Sequence, residues 1–329
     1  MAGLKLEAIK RAITDYIKSV FKLWLDLCKI MIPVIVAVKI LNEFDAIRYL
    51  AIPLSPAMKL VGLPAEMGLV WATAMLNNIY GGIIVLLSLS SKVTLTGAQA
   101  TVLGTMILVA HTLPVELSIA GKSGARPLFQ AISRLGSALL LGMILNWTFS
   151  GLEVFQEPAA MMLPGQGEDG LQGRGFIAWM LEEAGRLLWI LAVIAALVAM
   201  MRILRAAGVI RFMDIILRPI LKLLGIGPKA SAITVIGLTM GVAYGGGLII
   251  QEAKSGEIGP KDVFYCLTLM GLAHSLIEDT FLIMTIGGEI AGILVGRVVY
   301  ALVMVMLIVR VSRVLPLSFC ERFLWKRPG

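Results

Sequence analysis

The 329-residue chain is 58% hydrophobic and only 15% charged, with a mean hydropathy of +0.90. Soluble domains are about 45 to 50% apolar and about 25% charged, so composition excludes that class and specifies an integral membrane protein. The net charge of +8 does not signal nucleic acid, because the Lys and Arg residues cluster beside apolar segments, where they orient a chain in the bilayer.

Residues 1–20 alternate charged and apolar side chains without the apolar core or small-residue cleavage site of a signal peptide, and so predict a cytoplasmic amphipathic helix. Apolar stretches that meet the requirement of about 20 residues per span fall near Phe21–Leu41, Gly97–Ala120, Pro127–Phe149, Phe176–Leu204, Pro260–Ile286 and Ile290–Val311. Two more, Ala65–Ser91 and Pro228–Lys254, are broken by Tyr80-Gly81-Gly82 and Tyr244-Gly245-Gly246. Glycine tolerates the φ > 0 conformations of a tight reversal, so each is expected to dip in and return as a re-entrant hairpin with its tip at Gly81-Gly82 or Gly245-Gly246. Continuous spans whose glycines serve close packing are the alternative.

Asn42–Leu63 and Arg205–Ile226 mix charges with apolar residues at helical spacing and predict interfacial arms bracing the hairpins. Residues 150–175, rich in Gly, Pro and Gln, read as an extramembrane linker, and residues 314–329 as a basic cytoplasmic tail. Cys28, Cys266 and Cys320 have neither the pairing of a disulfide framework nor the spacing of a zinc site.

The only two histidines, His111 and His274, are 163 residues apart, and the same offset carries Thr112 onto Ser275, Glu116 onto Asp279 and Arg134 onto Arg297. The chain therefore divides into two membrane repeats, residues 21–149 and 176–313. Eight crossings would put Arg202, Arg205, Arg211, Arg218, Lys222 and Lys229 outside, against the positive-inside rule. With two re-entrant hairpins, six spans remain, that connector and both termini are cytoplasmic, and Glu153, Glu157, Glu168 and Asp169 lie outside. Each repeat then crosses three times, an odd number, so the second is inverted. The expected fold is an all-α integral membrane protein of two inverted-topology repeats, each with three spans, one re-entrant hairpin and an amphipathic arm.

This order of elements, with the Tyr80-Gly81-Gly82 and Tyr244-Gly245-Gly246 tips, resembles the nucleoside recognition, or Gate, domain family from about Phe21 to Val311. Related units occur in concentrative nucleoside transporters, the membrane region of ferrous iron transporter B and spore maturation proteins A and B. The resemblance implies transport, or scaffolding of a partner membrane protein. The chain departs from ferrous iron transporter B in lacking a GTPase domain: Gly225-Ile226-Gly227-Pro228-Lys229 has neither P-loop spacing nor the following Ser/Thr.

An Asp inside a bilayer costs about 2.5 to 3.5 kcal/mol on insertion scales, so intramembrane ionisable groups mark cavities or partners. His111, Thr112 and Glu116 surround Pro114, expected to open the helix ladder there; their counterparts are His274, Ser275, Glu278 and Asp279, with His274 and Glu278 on one helix face. Asn77, Asn78, Tyr80 and Tyr244 are candidate contacts near the hairpin tips, and Arg134 and Arg297 candidate charge partners. These residues predict a midplane site for a small polar solute or ion, coupled to a proton or cation, in an inner-membrane carrier. His111, His274, Glu116, Glu278 and Asp279 form the alternative, a divalent metal site. The bland reading is a set of hydrogen-bonded core histidines with acids paired to the arginines. No His-Glu-x-x-His or nucleophile elbow supports an enzyme. The bilayer is the expected partner, and a homo-oligomer is left open.

Overall fold

The computed structural model describes residues 2–44, 46–90, 92–162 and 176–326. Residues 163–175, with Glu168 and Asp169, lie outside them. The described residues are helical, apart from loops and two isolated β-bridges.

The first half opens with α1 (Ala2–Glu43), a single helix that fuses the expected N-terminal helix to the first span. After it come α2 (Ala46–Ala51), a 3-10 turn (Ile52–Leu54), α3 (Ser55–Leu60), α4 (Met67–Leu76), α5 (Ile79–Leu89), α6 (Gly97–Val109), α7 (Leu113–Lys122) and α8 (Pro127–Gly151). The second half holds α9 (Phe176–Ala206), α10 (Val209–Leu223), α11 (Pro228–Met240), α12 (Val242–Ser255), α13 (Pro260–Ala273), α14 (Glu278–Met284), a π-helical turn (Ala291–Gly296), α15 (Arg297–Val314) and α16 (Leu317–Phe323). The offset of 163 read from the histidines also relates Glu43 to Ala206 at the ends of α1 and α9, and Gly97 to Pro260 at the starts of α6 and α13.

The equivalent helices α1 and α9 run antiparallel. The Tyr16 hydroxyl donates to Ala195 O at 2.7 Å, Trp24 Nε1 to Leu187 O at 2.9 Å, and Arg202 Nη1 to Ala12 O at 3.2 Å, so early residues of one helix meet late residues of the other. Trp24 and Leu187 are themselves 163 residues apart. Contact between equivalent positions is what a two-fold relation between halves produces on its axis.

Among the described residues, five helical segments are long and apolar enough to cross a membrane: 97–122, 127–151, 177–206, 260–284 and 291–314. The sixth expected span lies within α1, whose apolar part carries Asp26, Lys29 and Lys39. Of the apolar stretch in 260–284, 78% is buried, against 22% for that in α9. The broken helices therefore form the centre, and α9 turns Leu181, Leu188, Trp189 and Ile203 outward, where lipid is the only solvent that suits them. In α10, Leu217 and Leu221 are buried, as is Leu224 just past its end, while Arg211, Arg218 and Lys222 are exposed beside Phe212 and Ile215, the pattern of an interfacial helix.

Both broken stretches expected to be hairpins are pairs of short helices packed against each other, α4 with α5 and α11 with α12. Arms of 10 to 14 residues reach only about 15 to 21 Å, short of the roughly 30 Å hydrocarbon core. The tips are not where the glycine pairs suggest. The chain reverses at Asn77-Asn78 and at Gly241 (φ +92°), and Gly81, Gly82, Gly245 and Gly246 sit in the first turns of the returning arms. Their use is close approach. A Cβ on Gly82 would stand 2.9 Å from Ala74 Cβ, and one on Gly245 2.7 Å from Gly237 Cα.

The C-terminal segment is held against the fold through residue 326. Arg126 N–H donates to Leu324 O at 2.9 Å and Lys326 N–H to Gly124 O at 2.7 Å, stitching the segment to the loop between α7 and α8. Trp325 is buried with its ring 5.4 Å from that of Phe264.

Candidate functional site

Each half contains one broken membrane helix, α6–α7 and α13–α14. At the breaks Thr112 (φ +50°) and Ser275 (φ +48°) adopt the left-handed conformation, which costs a non-glycine residue about 1 to 3 kcal/mol and survives only where surrounding structure enforces it. The enforcement is visible. Thr112 N–H donates to Ala74 O at 3.0 Å and Leu276 N–H to Leu238 O at 2.8 Å, so each break is tied to the end of a first hairpin arm. Glu116 N–H to Thr112 O and Asp279 N–H to Ser275 O, both 3.2 Å, restart the helices. Pro114 does not open the ladder as expected. It occupies the first turn of α7, where a missing N–H costs nothing, and the interruption precedes it at 110–112.

The breaks bring the histidines together. His111 Nε2 and His274 Nε2 are 3.1 Å apart with ring centroids separated by 4.8 Å. Each Nδ1 faces the carbonyl four residues earlier, Ile107 O at 3.0 Å and Met270 O at 2.8 Å. A carbonyl only accepts, so Nδ1 carries the proton on both rings, and with both imidazoles neutral the two Nε2 lone pairs face one another. Glu116 Oε1 completes the cluster, 3.9 Å from His111 Nε2 and 3.6 Å from His274 Nε2. All three side chains are at most 10% exposed.

Arg134, 2% exposed, clamps this arrangement. Its Nη1 donates to Glu116 Oε2 at 2.6 Å, its Nε to Val109 O at 2.8 Å and its Nη2 to His111 O at 3.0 Å. It thus serves carbonyls that the helix break leaves open as well as the carboxylate. Gly271 makes room for it, since a Cβ there would stand 3.3 Å from Arg134 Cδ. The equivalent Arg297 is wholly buried, yet its Nε and Nη1 have no hydrogen-bond partner and its Nη2 reaches Thr280 Oγ1 at 3.4 Å.

The remaining candidates separate from the cluster. His274 and Glu278 share no helix face, because α13 ends before His274 and α14 begins at Glu278. The donor group comprises His111, Glu116 and His274, and leaves Glu278 and Asp279 out. Asn78 caps α5, its Oδ1 accepting from Gly81 N–H at 2.9 Å. Asn77 follows the end of α4, and the partly buried Tyr80 packs against both the central core and a smaller cluster between α1 and α9 that includes Met31 and Ile194. Ser275 faces the second tip, its Oγ 3.1 Å from where a Cβ on Gly241 would sit. The side chain of Tyr244 lies outside the described ones.

Sequence reasoning passed over a second buried charge cluster. Arg186 in α9 donates to Glu183 and Glu182, and both Arg186 and Glu183 are buried. Acids three and four residues before an arginine inside an apolar stretch were the available signal. The Gln130 Nε2 to Thr268 Oγ1 hydrogen bond at 3.0 Å, which joins the two halves, had none.

No family model matches the chain, and no solved structure matches it. It is similar to the uncharacterized membrane protein YvoD of Bacillus subtilis (strain 168), with 26% identity over 281 residues, 85% of this chain and 88% of that protein. The similarity runs through both halves, and with the apolar helices it makes this chain a multi-helix membrane protein.

Proposed function

We propose that this protein is a carrier for a small polar solute or ion, bound near the membrane midplane where the two broken helices and the hairpin ends meet. The observation that carries the reading is the pairing of His111 with His274 across the two halves, Nε2 to Nε2 at 3.1 Å. Two unprotonated nitrogens facing each other in a dry interior repel unless a proton or cation lies between them, so the contact is suited to a binding event. Discontinuous helices at a repeat interface are the usual seat of transporter sites. The antiparallel α1 and α9 support an inverted relation between the repeats. The unequal settings of Arg134 and Arg297 support two halves caught in different local states. Within this reading both termini face the cytoplasm across the inner membrane.

The test is flux into proteoliposomes across a panel of monovalent and divalent cations, amino acids and nucleosides. Wild-type protein is expected to move at least one of them, and H111Q and H274Q to abolish that flux while melting near the wild-type temperature in detergent. Absence of flux across the panel, with the Gln substitutions altering only the melting temperature, overturns the carrier and leaves the histidines as packing.

A further inference from the structure

Resting on that reading, we infer that the solute bound between His111 and His274 is a divalent transition-metal ion of the zinc, cobalt or nickel type, held by His111 Nε2, His274 Nε2 and Glu116 Oε1.

Three distances carry it. The donor atoms form a triangle with sides of 3.1, 3.6 and 3.9 Å. A point equidistant from the three lies about 2.1 Å from each, the bond length zinc takes to imidazole nitrogen and carboxylate oxygen.

The donors are also prepared as ligands. A metal-binding imidazole needs a free lone pair on one nitrogen and a hydrogen bond from the other to fix its tautomer and ring plane, and both rings have this in Ile107 O and Met270 O. Arg134 holds Glu116 Oε2 at 2.6 Å and reaches Oε1 only at 3.4 Å, and Oε1 is the oxygen that faces the histidines. Two nitrogens and one oxygen suit intermediate divalent ions; magnesium and calcium prefer oxygen alone, and copper(I) prefers sulfur.

Three protein donors rather than four is the count of open zinc sites, where a coordination position stays free for exchange. A cargo site needs that freedom.

The full-length protein, purified metal-free in nanodiscs, should bind one equivalent of cobalt(II) with the visible absorption of a four-coordinate ion, displaced by zinc. H111Q, H274Q and E116Q should each weaken binding at least about 100-fold, since even outer-shell losses cost 10- to 100-fold. Because a Gln variant can fail to fold, H274C serves as the second probe. It keeps a donor and should add a sulfur-to-cobalt charge-transfer band that wild type lacks. Cobalt absorption unchanged by all four substitutions, or substoichiometric cobalt in wild type, overturns the metal site. Flux of an organic solute without metal binding overturns the metal but keeps the carrier. Metal binding without metal flux keeps the site and overturns the carrier.

Discussion

Arg134 and Arg297 occupy equivalent places in the two halves and both are buried, but Arg134 is saturated by Glu116, Val109 O and His111 O while two nitrogens of Arg297 make no hydrogen bond. The repeat therefore carries one satisfied and one under-satisfied guanidinium through the same fold.

The two arginines should respond differently to Gln. R134Q strands Glu116 as a buried unpaired carboxylate and reopens two helix-break carbonyls, a loss of about 3 to 5 kcal/mol. R297Q removes two donors that are already unpaired, one long hydrogen bond to Thr280 and the cation that acts on buried Asp279, and should cost less than R134Q. Melting temperatures of the two variants in one detergent decide this; equal losses would show that Arg297 has strong partners.

Thr112 and Ser275 are the positions where glycine should help. Both sit at positive φ, and glycine has no Cβ to penalise there, so T112G and S275G are each expected to raise stability by about 1 kcal/mol. The same substitution at Thr101, buried inside α6 with its hydroxyl accepting from Glu289 N–H, should lower it by more than that. Thermal unfolding of the three single variants is the check. Destabilisation by both break substitutions would mean the hydroxyl or methyl groups outweigh the backbone strain.

Helix existence was legible because apolar length is a property of the chain itself, as is the 163-residue self-similarity. Contact between His111 and His274 was only implied by that symmetry: equivalence predicts that two residues share an environment, not that they touch. Touching requires both to lie on the axis, which depends on how α6 and α13 cross. The breaks were misplaced by a few residues because Pro114 and the Gly-Gly pairs are strong local signals with more than one use. Proline begins a helix as readily as it interrupts one, and glycine permits close packing as readily as reversal. What fixed the tips was Asn78 capping α5 and the positive φ of Gly241.

Close packing makes Gly292 a sensitive position. A Cβ there would collide with Cγ2 of Thr101 in α6, a branched side chain with little freedom to move. G292A should therefore destabilise by about 1 to 3 kcal/mol through overpacking. Gly247 has nothing within 4 Å of a would-be Cβ, and G247A should be neutral or stabilising within its helix. The paired melts separate packing from a general intolerance of alanine.

Membrane orientation follows from the repeat. Lys59 and Lys222 are equivalent, exposed residues at the ends of α3 and α10, and an inverted relation puts them on opposite sides of the bilayer. The connector around Lys222 is basic and is expected inside. K59C and K222C, made singly with Cys28, Cys266 and Cys320 replaced, would be exposed to a membrane-impermeant maleimide on intact cells and then after permeabilisation. K59C should label before permeabilisation and K222C only after it. Labelling of both in intact cells would place the arms on one side and exclude inverted repeats. The opposite order would keep the inversion and reverse the chain in the membrane.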